Sequence, residues 1–150
     1  MTPLILASAL LDGRELVEMI LKHETDNINA VDDNGETALQ CAVRSGCSGS
    51  VQKLLDHGAD ANQFTEEGTS ILSLAVRHNE LGSLYFLLNA GADVDALDQD
   101  PTGLSPLMHA IMRGNSLAHW TLLDHGASRE VRDKTGRGVK ELSLECNFTG

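Results

Sequence analysis

Apolar residues along this chain fall into short clusters at helical spacing, divided by polar turns. Leu39, Ala42 and Val43 form one such stripe, and Val51, Leu54 and Leu55 form another shortly after it. The pairing then recurs. Leu54-Leu55-Asp56-His57-Gly58-Ala59-Asp60-Ala61-Asn62 returns as Leu87-Leu88-Asn89-Ala90-Gly91-Ala92-Asp93-Val94-Asp95, and again as Leu122-Leu123-Asp124-His125-Gly126-Ala127-Ser128. The first spacing is 33 residues and the second 35. Gly35, Gly68, Gly103 and Gly136 keep the same register, as do Ala7, Ala42, Ala75 and Ala110. Separate anchors sharing one period indicate a repeat architecture.

Each unit reads physically as two helices and a projecting turn. Thr37, Ser70 and Ser105 stand two residues after the turn glycine, with Thr2 at the equivalent early place. A hydroxyl there caps a helix by accepting an orphan backbone N–H. The small alanine lets neighbouring helices approach closely. Gly46 or Gly114, with Asn79 in their stead in the third unit, ends the first helix. The second helix, carrying Leu84, Leu87 and Leu88 or their equivalents, exits through Gly58, Gly91 or Gly126. An Asp-rich stretch then leads into the next turn.

Thr37-Ala38-Leu39, Ser105-Pro106-Leu107 and the Gly-Ala-Asp segments resemble the ankyrin repeat. The resemblance implies an all-α solenoid of stacked helix-turn-helix units with projecting β-turn loops. It covers nearly the whole chain, residues 1–150, as one domain. The units are about 1–31, 32–64, 65–97 and 98–132, and 133–150 begins a fifth. The chain departs from the family pattern in places. Gln40, Ser73 and Met108 stand where the family has histidine, so hydrogen bonds between turns of the family kind are not carried over there. The first unit lacks its turn and has an extra residue near Asn27. The fourth has a two-residue insertion within Asp98-Gln99-Asp100-Pro101-Thr102. Pro101 biases Asp100 toward extended geometry, which predicts a longer and differently aimed turn. Gly138 at the capping position and Lys140 in place of leucine mark the last segment as divergent. The chain begins inside a repeat and stops before a second helix of its fifth unit, so a trimmed form or divergent caps are expected, with 133–150 the least stable part.

Composition narrows the function. Of the 150 residues, 41% are hydrophobic but only 3% aromatic, so the core is built from Leu, Ala, Val and Ile. There are 22 acidic and 11 basic side chains, for a net charge of −11. That field repels phosphate backbones and anionic membranes, which argues against nucleic-acid and membrane partners. Cys41, Cys47 and Cys146 make an odd, sparse set that fits a reducing cytosol or nucleus rather than a disulfide framework. Pro3 to Leu11 resembles a signal-peptide core but has no basic residue before it, and fits a repeat helix.

No catalytic site, cofactor site or metal site is expected. Cys41 and Cys47 lack a paired zinc spacing. His57 and His125, and His23 before them, share the position just ahead of the exit glycine, where a cation complements the helix dipole. No phosphate loop or nucleophile elbow is present. Asn147-Phe148-Thr149 matches a glycosylation acceptor without other secretory signals. Asn62, and more weakly Asn29, resemble ankyrin-loop asparagines that asparaginyl hydroxylases modify.

The charge pattern is more informative. Asp32, Asp33 and Glu36, then Glu66 and Glu67, then Asp98 and Asp100 place acid at the turn tips, while Arg44, Arg77 and Arg113 lie near the ends of first helices. In stacks of the kind this chain resembles, tips and first helices together line a concave face where partners bind. The residues expected on that face are Asp33, Asn34, Glu36, Arg44, Ser45, Glu66, Glu67, Arg77, His78, Leu104, Met112 and Arg113. The face is expected to have a basic floor and an acidic rim, suited to a segment with an acidic or phosphorylated stretch over the floor. Tyr85 and Trp120 share one position on successive second helices and are expected to form a second patch. The resemblance implies a monomeric module that binds a protein or peptide. Small acidic members of the family include inhibitors of cyclin-dependent kinases, which leaves regulation of an enzyme as an alternative. A targeting or spacer fragment of a larger multidomain protein is another.

Overall fold

The computed structural model describes residues 3–8, 10, 14–22 and 27–149. Among them are nine helices: α1 (Pro3–Ser8), α2 (Arg14–Leu21), α3 (Ala38–Arg44), α4 (Ser48–Asp56), α5 (Ile71–Arg77), α6 (Leu81–Asn89), α7 (Pro106–Met112), α8 (Ser116–Asp124) and α9 (Val139–Glu145). The first helices α1, α3, α5, α7 and α9 pack in one row. The second helices α2, α4, α6 and α8 pack in another, and each first helix is joined to the second helix that follows it. The turns between units close with isolated antiparallel bridges, Val31 to Thr37, Phe64 to Ser70 and Arg132 to Gly138.

The helices start where hydroxyls meet orphan amides. The Thr37 hydroxyl accepts from the Gln40 amide at 3.2 Å, Ser70 from Ser73 at 3.2 Å, and Ser105 from Met108 at 3.3 Å. Pro106 opens α7, at the position where its missing N–H costs nothing. Each first helix then runs only two turns. Asn79 ends α5 with φ of 58°, a left-handed geometry that its short polar side chain tolerates where the neighbouring units use glycine. Thr2 and His23 lie outside the described residues.

The core is thin and aliphatic. Ala42, Ala75 and Ala110 are fully buried, as are Leu54, Leu87 and Leu122 on the second helices. Burying such side chains contributes roughly 25 cal/mol per Å² of apolar area, the main term holding the stack together. Direction between units is set by polar contacts. The Asn29 side-chain oxygen accepts the Asp60 amide at 3.0 Å, Asn62 accepts that of Asp93 at 2.8 Å, and Asp95 accepts that of Ser128 at 2.8 Å. The same acceptor position thus answers the following unit three times.

Two expectations change here. Gln40 does make a link between turns: its amide nitrogen donates to the Phe64 carbonyl at 2.9 Å, while its oxygen accepts the Thr37 N–H at 3.1 Å. A glutamine amide carries both a donor and an acceptor, so it spans the gap without a histidine ring. Asp98 is not a turn tip. Its side chain is fully buried and accepts from the Ser70 N–H at 2.8 Å and from His109 Nε2 at 2.8 Å. The insertion explains this. Asp100 closes the lengthened turn instead, accepting from the amides of Thr102 and Gly103, each at 2.9 Å. The enlarged turn leans on its neighbours, with the Gln99 N–H donating to Gly68 at 2.7 Å and Lys134 Nζ donating to the carbonyls of Gln99 and Asp100. Gly68 is required at that contact, because a Cβ there would meet the Asp100 nitrogen at 3.1 Å and φ is +83°.

Candidate partner-binding face

Side-chain acceptors close the turn tips: aspartates at positions 32, 100 and 133, and the Thr65 hydroxyl, which accepts the Thr69 amide at 3.1 Å, in the tip that carries Glu66 and Glu67. The Asp32 carboxylate accepts the amides of Asn34 at 2.9 Å and Glu36 at 3.0 Å. The Glu36 amide holds the Asp32 carboxyl below its ordinary value of 3.8. Asp33 and Asn34 are exposed beyond that closure, as are Glu66 and Glu67 in the next tip. Among the described residues neither Glu66 nor Glu67 has an ion-pair partner. These carboxylates therefore face solvent as fixed negative charges.

The floor begins at the C-terminal ends of the first helices. Arg44 is the last residue of α3 and pairs with Glu36 at 2.6 Å, so its charge is compensated. Glu36 also accepts from the Cys41 thiol at 3.4 Å. Burial, then that carboxylate, pushes the Cys41 thiol up to about 12, which keeps it an unreactive thiol. Ser45 closes α3 through its backbone N–H. Arg77 ends α5 and donates to the Thr69 hydroxyl at 2.9 Å, with no carboxylate partner among the described residues. Arg113 follows α7 and is exposed, with no ion pair among the described residues. Met112 beside it is 48% exposed.

His78 lies among these cations. Burial lowers its pKa from the ordinary 6.5, and the positive charges of Arg44, Arg77 and Arg113 lower it further, with Glu80 opposing them. The ring thus reports a positive potential where three first helices end. Asn115 donates to the Asn79 side-chain oxygen at 2.8 Å and ties the end of α5 to the start of α8. Arg77, Asn79, Arg113 and Asn115 border a depression of about 420 Å³.

The structure therefore brings Arg44, Arg77, His78 and Arg113 to one corner, with Asp33, Asn34, Glu66 and Glu67 on exposed tips. It does not bring Leu104 to the surface. Leu104 is only 5% exposed, an apolar side chain at the register position that is buried at Thr69 too, and offers little contact area. The Asn79–Asn115 tie and the buried Asp98–His109 pair were missed by sequence reasoning. The register signals the first, since Asn79 replaces a glycine. Nothing local signals the second.

Tyr85 and Trp120 are about half exposed, but they line different depressions. Tyr85 borders one with Leu55 and Asn89 and meets His125 edge-on at 6.2 Å. Trp120 borders another with Leu144 and Phe148 and stands edge-on to His119 at 5.6 Å. Asn62 is exposed with its side-chain oxygen engaged by Asp93. His57 and His125 each close the last turn of a second helix, with Nδ1 2.8 Å from the carbonyl four residues earlier.

Among the described residues no group of three or more His, Cys, Asp or Glu is placed to hold a metal ion. No helix of the described residues is long and apolar enough to cross a membrane. Residues 1–65 match the family model for ankyrin repeats (3 copies). No curated protein matches the chain. The stacked helix pairs continue well beyond the matched segment, with hydroxyl caps at Ser70 and Ser105, and the match and the fold together fit an all-α ankyrin-repeat solenoid.

Proposed function

We propose that this chain is a binding module that holds a protein or peptide partner on the face made by its turn tips and first-helix ends. Ankyrin repeats are in general protein–protein interaction modules. The observation that carries the reading here is the contrast between frame and face. Asp32, Asp100 and Asp133 hold their turns by multiple hydrogen bonds, while Asp33, Asn34, Glu66, Glu67, Arg77 and Arg113 stand exposed on that fixed frame. A rigid face loses little conformational entropy on binding, which favours affinity for an extended partner.

A photo-crosslinking amino acid at Asn34, Glu67 or Met112, compared with one at Asp56 on α4, tests the reading. Adducts with cellular proteins are expected from the tip and floor positions and not from Asp56. Adducts from Asp56 alone would place the partner on the second-helix side and overturn it.

A further inference from the structure

We infer that the corner formed by Arg77, His78 and Arg113 anchors an anionic side chain of the partner, a carboxylate or a phosphate, carried on a segment that also has basic residues. This rests on the protein-binding reading above and adds the chemistry of the bound segment.

The argument starts from charge compensation. Arg44 is paired with Glu36, Lys22 and Lys53 with Glu18, Arg132 with Glu141, and Arg137 with Asp133 and Glu145. Lys134 is spent on backbone carbonyls of the inserted turn. Arg77 and Arg113, like Arg129 and Lys140 at the far end of the stack, have no carboxylate partner among the described residues, in a chain of net charge −11. Both border the same depression. Two uncompensated guanidinium groups beside one hollow, in a protein with acid to spare, are a mismatch that an incoming anion resolves.

The corner is also built to stay in place. Thr69 fixes one nitrogen of Arg77, leaving the rest of its donor fork free. The Asn79–Asn115 bond holds the two walls together. His78 faces Arg44 from α3, Arg77 from α5, Arg113 beyond α7 and Glu80 at the start of α6. With its pKa held low by burial and those cations, its ring is neutral at pH 7 and supplies a donor or an acceptor without adding charge. Guanidinium forks pair with carboxylate and phosphate in two-pronged fashion.

The surroundings set the rest of the partner. Glu66 and Glu67 on the tips and the net charge repel an extended polyanion, so nucleic acid is disfavoured. A short anionic group flanked by lysine or arginine satisfies both floor and tips.

Fluorescence anisotropy with defined peptides tests this. The probes are labelled peptides with lysines at one end and, at the other, glutamates, a phosphoserine, or neutral glutamines. The glutamate or phosphoserine peptide is expected to bind more tightly than the glutamine peptide, and the tighter of the two names the natural anion. Arg113→Glu alone, whose side chain has no hydrogen bond or ion pair among the described residues, and Arg77→Glu with Arg113→Glu should each weaken the anionic peptides, the double variant by about tenfold or more, with the thermal transition of Arg113→Glu unchanged. The pKa of His78, followed by NMR, should rise when the anionic peptide binds. Equal affinity for the neutral peptide, no binding by any peptide, or indifference to Arg113→Glu would overturn the assignment. If the anionic peptides fail while crosslinks at Asn34 and Glu67 persist, the anchor falls and the protein-binding reading stands.

Discussion

The buried carboxylate of Asp98 accepts the backbone N–H of Ser70, 28 residues earlier, at 2.8 Å. The reason lies in α5 itself. At the other caps the third helical residue reaches back to the capping amide: Gln40 to Thr37, Met108 to Ser105 and Glu141 to Gly138. Ser73 is too short to do so, and its hydroxyl accepts from the Ser70 hydroxyl instead. Asp98 from the following unit supplies the missing acceptor, and His109 is hydrogen-bonded to its other oxygen.

Asp98→Ala should therefore cost about 3 kcal/mol, because it strands a buried amide and leaves His109 without its carboxylate. Asp98→Asn keeps an acceptor for Ser70 and should cost less. Urea unfolding of the variants checks the order, and an alanine variant as stable as the parent would show the contact to be idle.

Ser50 and Ser83 occupy one position on successive second helices, each buried with no partner for its hydroxyl among the described residues. Ala118 fills the same place in α8. Ser50→Ala and Ser83→Ala should each raise stability, by about 1 kcal/mol, since a desolvated hydroxyl is removed and helix propensity improves. Chemical denaturation reads the gain directly, and a loss in both variants would contradict it.

His119 holds the position that Leu84 holds in α6. It is only 7% exposed, and its Nδ1 has no partner among the described residues. Burial, then the charge of Arg129, lowers its pKa from 6.5. The fold favours the neutral ring, so this stability is present above the ordinary value and is lost as pH falls through the lower folded value. His119→Leu should stabilise the chain by about 1 kcal/mol at neutral pH and by more in mild acid. Melting curves across that range test the slope, which should flatten in the variant even if losing the Phe148 ring contact at 4.9 Å offsets the gain.

Asp133 governs the acid side of the last described turn. Burial pushes its carboxyl up, but the Thr135 hydroxyl, the Arg137 and Thr135 amides and the Arg137 guanidinium outweigh burial and hold it at about 2. Its contribution is full above its ordinary 3.8 and is lost as pH falls toward about 2. Asp133→Asn should lower stability at neutral pH and flatten the loss in that window, as measured by unfolding at successive acid pH values. An unchanged acid limb would show that the turn does not depend on this carboxylate.

Much of the frame could be read from residue types alone. Thr37, Ser70 and Ser105 announce their caps because a hydroxyl before an apolar stripe has one common use. The buried alanines and leucines follow from their period. The site was less legible, because it depends on which charges cancel. Arg44 and Arg77 are equivalent in sequence, yet a glutamate at position 36 neutralises the first, while its counterpart Thr69 leaves the second charged. Asp98 was misjudged because an aspartate in a turn signals closure or exposure, and only the insertion that lets Asp100 take over closure sends it inward. Leu104 was misplaced because its register position, one residue after the turn glycine, is buried at Thr69 as well.

The acceptors at Asn29, Asn62 and Asp95 carry a consequence for how such a chain can grow. Each oxygen answers an amide at the same place in the next unit. Tandem duplication of a whole unit therefore copies the donor and the acceptor together, and the new seam is closed on both sides the moment it arises. The number of units is free to drift by gene duplication, because every copied unit brings its own side-chain oxygen to the seam that follows it.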